Sequence, residues 1–205
     1  MPTNPLNFIG DDVRQEIIDT FTPHWALNDA AHRQEHFEAV FQTGMHINKE
    51  LGLQYDPKHI LFAAYFHDLF AWSRPIHHLL SGEFVMGGEH PLIHKHLTTS
   101  AEREWVGRAC EQHRASFKGR FYSPFCELIN SADRGTPGDL PGLIQRCYDH
   151  RLTTMPDASE DERMADAIKH LKHKSGSDGY ARYPDMYKQV FGEQLERQRQ
   201  AIDKL

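Results

Sequence analysis

Seven consecutive apolar residues, Ile60-Leu61-Phe62-Ala63-Ala64-Tyr65-Phe66, run directly into His67-Asp68. A stretch apolar on nearly every side predicts a helix buried at the centre of the fold. Asp56-Pro57 supplies its start, a capping carboxylate followed by proline at the first helical position. The end of the run is chemically awkward. A carboxylate beside an imidazole in buried surroundings must be hydrogen-bonded, ion-paired or metal-bound to offset its desolvation.

The remaining pattern is helical throughout. Val13, Ile17 and Phe21 share one face of a first helix capped by Asp11 and ended by Pro23. Phe37, Val40, Phe41, Gly44, Ile47 and Leu51 form a 3.6-residue stripe on a second helix, read from Asp29 to Gly52, with His36 on the same stripe. Ser73 to Pro91 contains Arg74-Pro75, Ser81-Gly82 and Gly87-Gly88, and reads as a long loop with one helical turn at His77 to Leu80. Thr99-Ser100-Ala101-Glu102 is a capping box opening a helix whose apolar face ends at His113. Ser123-Pro124 opens another helix, with Asp133 one turn past Ile129. Further helices follow from Asp139, from the capping box Ser159 to Glu162, and from Pro184. Lys169, Lys172 and Lys174 crowd one helix end, where they complement its dipole. No strand alternation or internal repeat is found, so the chain is expected to be all-α, a bundle of roughly seven to nine helices forming one domain over residues 1–205. Its motif core spans about 29–135, with C-terminal helices over 139–205.

Composition narrows the partners. A formal charge of -6 and a pI near 6.2 disfavour duplex nucleic acid, whose binding requires clustered Lys and Arg. A mean hydropathy of -0.64 and the lack of a long apolar span disfavour a membrane. The N-terminal Met1-Pro2-Thr3-Asn4-Pro5 has no leader pattern, and Cys110, Cys126 and Cys147 have no CxxC spacing, so a reducing, cytoplasmic setting is expected. Histidine is abundant, with 15 residues. A lone inward histidine is commonly a satisfied core residue. Here His36, His67-Asp68, His113 and Asp133 fall at inward faces or ends of four successive helices, and helices converging on one point can build an imidazole and carboxylate cage.

The segments Arg33-Gln34-Glu35-His36, Phe66-His67-Asp68 and Ala132-Asp133-Arg134 resemble, in order, the motif of the HD superfamily of metal-dependent phosphohydrolases. The resemblance implies a helical fold in which His36, His67, Asp68 and Asp133 hold one divalent metal, for which Mn, Fe, Co, Ni and Zn suit the mixed imidazole and carboxylate ligands and Mg suits them less well. In the two-metal branch, histidines after the doublet and at the following helix end hold a second ion with the bridging aspartate. The matching residues are His90 and His113, with Asp68.

One departure stands out. Single-metal nucleotidases of the superfamily often carry a glutamate three residues past the doublet aspartate, and that position is Ala71. Glu35, Glu83 and Glu89 are other carboxylates, expected to be exposed. Arg33 and Lys118 are the preferred phosphate clamps among several flanking basic residues. Trp25, Phe70 and Trp72 are candidates for stacking on a base. These features point to a metal-dependent phosphohydrolase acting on a small phosphate, a nucleotide being the favoured class. A di-iron oxygenase of the same superfamily and a non-catalytic nucleotide sensor remain open alternatives, as does a homodimer.

Overall fold

The apolar run does form the innermost helix. In the computed structural model, which describes residues 11–205 apart from the side chain of Asp11, every residue from Ile60 to Phe66 is completely buried. The readings made for the Asp11 cap and the Met1–Pro5 segment lie outside that description.

The described residues form ten α-helices and no strand: α1 (Asp11–Trp25), α2 (Gln34–Glu50), α3 (Pro57–Phe66), α4 (His77–Gly87), α5 (Pro91–His96), α6 (Ser100–Glu111), α7 (Pro124–Ala132), α8 (Leu140–Thr154), α9 (Glu160–Ser175) and α10 (Asp185–Asp203). None is long and apolar enough to cross a membrane. Helices α2, α6 and α7 pack around α3, α4 lies along α6, and α8 and α9 pair as a hairpin beside the 3-10 turn Ala30–His32.

The start signals act as read. Asp56 accepts from the Lys58 amide, Ser123 from Cys126 and Asp139 from Gly142, while Thr99–Glu102 and Ser159–Glu162 are complete capping boxes. Three expectations are corrected. Helix α1 continues through Pro23 to Trp25, whose buried indole packs against Phe37 and Tyr65 and keeps the last turn wound despite the missing amide hydrogen. The second helix does not start at Asp29: that residue caps the 3-10 turn, extended backbone at Arg33 interrupts the chain, and α2 begins at Gln34.

The third correction affects the site. The expected loop from Ser73 to Pro91 contains the whole of α4 and the start of α5. Its glycines were read as breakers, but Gly82 is a packing residue. A Cβ on Gly82 would lie 2.9 Å from the Gly107 carbonyl oxygen, and one on Gly107 would lie 2.8 Å from that of Gly82. The two glycines let α4 and α6 touch backbone to backbone, and Gly88, at φ +64°, ends α4 in the left-handed conformation.

Replacing Gly107 with alanine should therefore destabilise the protein by about 1–3 kcal/mol through overpacking. Gly87→Ala, which meets nothing within 4 Å, should be neutral or stabilising by up to about 1 kcal/mol. Urea unfolding of both variants measures this, and equal midpoints would deny the close contact its role.

Candidate metal centre

Asp68 follows α3 by two residues and is 3% exposed, so its carboxylate lies within the protein. The turn that carries it is fixed by Asn28, whose amide nitrogen donates to the Asp68 carbonyl at 3.0 Å and whose amide oxygen accepts from Trp72. The two carboxylate oxygens face different partners. Oδ2 lies 3.3 Å from His67 Nε2 and 3.7 Å from His36 Nε2, while Oδ1 lies 3.2 Å from His77 Nε2 and 3.3 Å from His113 Nε2. Asp133, at the C-terminus of α7, closes the first group with Oδ1 at 3.3 Å from His36 and 3.6 Å from His67.

Ring orientation tells what these nitrogens can do. His67 Nδ1 donates to the Ala64 carbonyl at 2.8 Å, His77 Nδ1 to Arg74 at 2.7 Å and His113 Nδ1 to Cys110 at 2.6 Å. A carbonyl only accepts, so each Nδ1 carries a proton and each Nε2 is turned inward, a free lone pair whenever the ring is neutral. The ring nitrogens then converge: His36 and His67 Nε2 are 3.2 Å apart, and His77 and His113 Nε2 are 3.3 Å apart. Among the described residues, buried Asp68 Oδ1 has no hydrogen-bond partner, although His77 and His113 Nε2 lie 3.2 and 3.3 Å from it. Acceptors packed this closely repel unless a proton or cation lies among them. The donor set fits a divalent ion, with His36, His67, Asp68 and Asp133 as one group able to hold metal and Asp68, His77 and His113 as another.

Electrostatics without metal show the same demand. Burial opposes charge on His67, but the Asp68 and Asp133 carboxylates outweigh it and raise its pKa to about 10. Burial likewise works against the Asp68 and Asp133 carboxylates, yet the surrounding histidines hold both well below the usual carboxylate range. His77 is drawn down to about 4, chiefly by burial, and is neutral at pH 7.

The site residues read from the sequence separate into two groups. His36, His67, Asp68, His113 and Asp133 converge as expected. His90 does not join them: it caps α5, its Nδ1 accepting from the Leu92 amide, and its ring packs beside Phe21 and Phe84. His77 takes the position expected for it, because α4 starts there instead of continuing a loop.

Arg33 is corrected as well, since its guanidinium is exposed and donates to the Asn28 carbonyl at 3.3 Å, bracing the turn behind Asp68. Lys118 is exposed, and neither residue lines the cavity over the histidines. Trp25 is core, Trp72 is 55% exposed, and among the described residues no tryptophan or phenylalanine lines the cavity, where Tyr180 and Tyr183 do. Glu35, Glu83 and Glu89 are exposed, as expected.

The cavity, of about 320 Å³, reveals residues that the sequence reading did not assign. Asp29 is one support behind it, accepting from His32 Nδ1 at 2.6 Å and from His150 Nδ1 at 3.0 Å. His32 Nε2 then faces Asp68 Oδ2 at 3.9 Å and Arg74 NH1 at 3.2 Å. His32 lies four residues before His36, a spacing visible in the sequence; the 121-residue separation between Asp29 and His150 left no such signal. No family model, curated protein or solved structure matches this chain.

Loading with Mn2+ should expel a proton, because the His67 proton occupies the ion's place below a pKa of about 10. Affinity should thus rise with pH between about 6 and 9, by up to about tenfold per unit for one proton. Calorimetry in buffers of different ionisation enthalpy reads the release directly, and a pH-independent affinity would rule out His67 as a ligand.

Proposed function

We propose that this chain is a metal-dependent phosphohydrolase of HD type, acting on a nucleotide or a related small phosphate ester. The observation that carries the reading is Asp68, one carboxylate whose two oxygens each face a separate histidine group. Such a bridge suits two ions, the second held by His77 and His113. The ordered His36, His67-Asp68 and Asp133 motif, brought together by an all-helical fold, supports the HD assignment. A divalent ion at such a ligand set supplies Lewis acidity, which polarises a phosphoryl oxygen and makes water a competent nucleophile near neutral pH.

The chain's own residues supply the rest. Ala71 is 2% exposed and carries no ionisable group, so proton transfer falls to another residue. His32 is placed for it, with Asp29 holding its Nδ1 proton and leaving Nε2 to take or give a proton at the cavity wall. This is the arrangement in which a carboxylate orients a general acid or base. Arg74 and Arg114 line the cavity next in sequence to the His77 and His113 side and offer counter-charge to the reacting phosphate.

The expected result is Mn2+- or Mg2+-dependent phosphate release from a panel of nucleotides. His32→Gln should lower kcat by about 10²–10⁴ while keeping metal. His77→Ala should lower the metal content from about two ions per chain to about one, and His90→Ala should leave it unchanged. Iron-dependent oxygen consumption without phosphate release would replace this reading with a di-iron oxygenase. Tight nucleotide binding with no turnover under any metal would replace it with a sensor.

A further inference from the structure

The cavity is unlike the protein around it. The chain carries a formal charge of -6, yet six cationic side chains line the cavity: Arg74, Arg114, Arg134, Arg146, Arg151 and Lys174. Among the described residues, its only lining carboxylates are Asp68 and Asp133, both members of the candidate metal groups.

Three of the six already have partners. Arg134 donates to the His113 carbonyl at 2.6 Å and to Asn130 Oδ1 at 3.0 Å, Arg151 donates to Asp166 Oδ2 at 2.5 Å, and Arg74 meets His32. Among the described residues, Arg114, Arg146 and Lys174 have neither a hydrogen-bond nor an ion-pair partner for their charged groups.

Arg146 on α8, which is exposed, and Lys174 near the end of α9, which is half-buried, both line the cavity and interact electrostatically. Lys174 is not an ordinary surface lysine. Burial and then the Arg134 guanidinium depress its pKa, with Arg146 adding to the effect and Asp133 opposing it. The ammonium therefore lies within electrostatic reach of both the metal group and Arg146. Withdrawing a charged group from water without a counter-ion is costly, and a bound anion would remove that cost.

Charge bookkeeping indicates how much anion is wanted. Two divalent ions less the two lining carboxylates leave a charge that one phosphate dianion balances. With Arg74 and Arg114 beside the reacting phosphate, Arg146 and Lys174 remain without an anionic partner among the described residues, so a substrate with only the reacting phosphate would leave the α8–α9 side uncompensated. We propose that this side is a second phosphate subsite, with Arg146 and Lys174 as its cations, and that the substrate carries at least two phosphate groups. A nucleoside diphosphate, a triphosphate or a bisphosphate meets that requirement; a monophosphate or a cyclic monoester does not. The inference rests on the proposed metal centre for the position of the reacting phosphate.

Its test is the preference of the Mn2+-loaded full chain for inorganic pyrophosphate over orthophosphate, read by calorimetry. A metal ion alone favours pyrophosphate, so the informative quantity is how that ratio changes in variants. Arg146→Met with Lys174→Met should reduce the ratio by about tenfold, and Lys174→Arg should retain most of it. An unchanged ratio in the double variant would overturn the subsite. Should that variant fail to fold by circular dichroism, Lys174→Gln alone is read in the same ratio.

In turnover, nucleoside 5'-diphosphates or 3',5'-bisphosphates should exceed the 5'-monophosphate and the 3',5'-cyclic ester by at least about tenfold in kcat/KM. Equal or better turnover of the one-phosphate compounds would also overturn the subsite, while leaving the hydrolase reading intact. Loss of the pyrophosphate preference in the variants, with no phosphate release from any compound, would keep the subsite and remove the hydrolase.

Discussion

A carboxylate buried at the end of the central helix is the constraint on which the rest depends. The apolar α3 run carries Asp68 inward, where an unmatched charge would cost several kcal/mol even after local relaxation. The surrounding structure brings compensation to it. Much of that compensation comes from helix ends: His67 and Asp133 are the C-caps of α3 and α7, His113 follows α6, and His77 opens α4. A helix end offers carbonyls that the helix itself cannot satisfy. Ala64 and Cys110 use theirs to hold the Nδ1 protons of His67 and His113, which turns both Nε2 atoms towards Asp68. Helix termination and ligand orientation are thus one event here.

The contact between Gly82 and Gly107 extends the same logic to the second histidine pair. His77 and His113 are 36 residues apart, and their Nε2 atoms meet at 3.3 Å because α4 and α6 lie close enough for each glycine to rest on the other's carbonyl. A side chain at either glycine would push α4 outward and carry His77 with it. The small residues are therefore part of the site's geometry although they touch none of its ligands.

That contact also explains what was legible in the sequence. Caps and periodicity marked most helices, and the order of His36, His67-Asp68, His113 and Asp133 marked one face of the site, because such signals are local. Ser81-Gly82 and Gly87-Gly88 were misread because a glycine that breaks a helix and one that lets two helices touch look alike until the neighbour is known. The same ambiguity reaches the histidines: a loop over Ser73 to Pro91 leaves His90 as the one expected beside Asp68 and His113, whereas α4 starts at His77 and brings that residue there. Arg33 and Lys118 failed for a related reason. They were chosen by nearness in sequence to ligands, whereas Arg146 and Lys174 reach the cavity from helices outside the motif core. Lys174 was assigned to the helix dipole, a sufficient explanation for an exposed lysine but not for one depressed by burial.

Ala71 connects the two halves of the site. Its amide donates to the Asp68 carbonyl at 3.1 Å, which places the residue in the turn beneath the ligand carboxylate. A glutamate there would add another negative charge close to Asp68, raising the repulsion that the histidines must offset. His32, backed by Asp29, can handle a proton with its acidic support set behind the imidazole, away from the cavity lining. Among the described residues, the cavity thereby keeps only the carboxylates of Asp68 and Asp133, and Arg146 and Lys174 remain without an anionic partner. In the proposed hydrolase, moving proton transfer from a carboxylate to a carboxylate-backed histidine would make the pocket more receptive to anions, even though the protein as a whole is acidic.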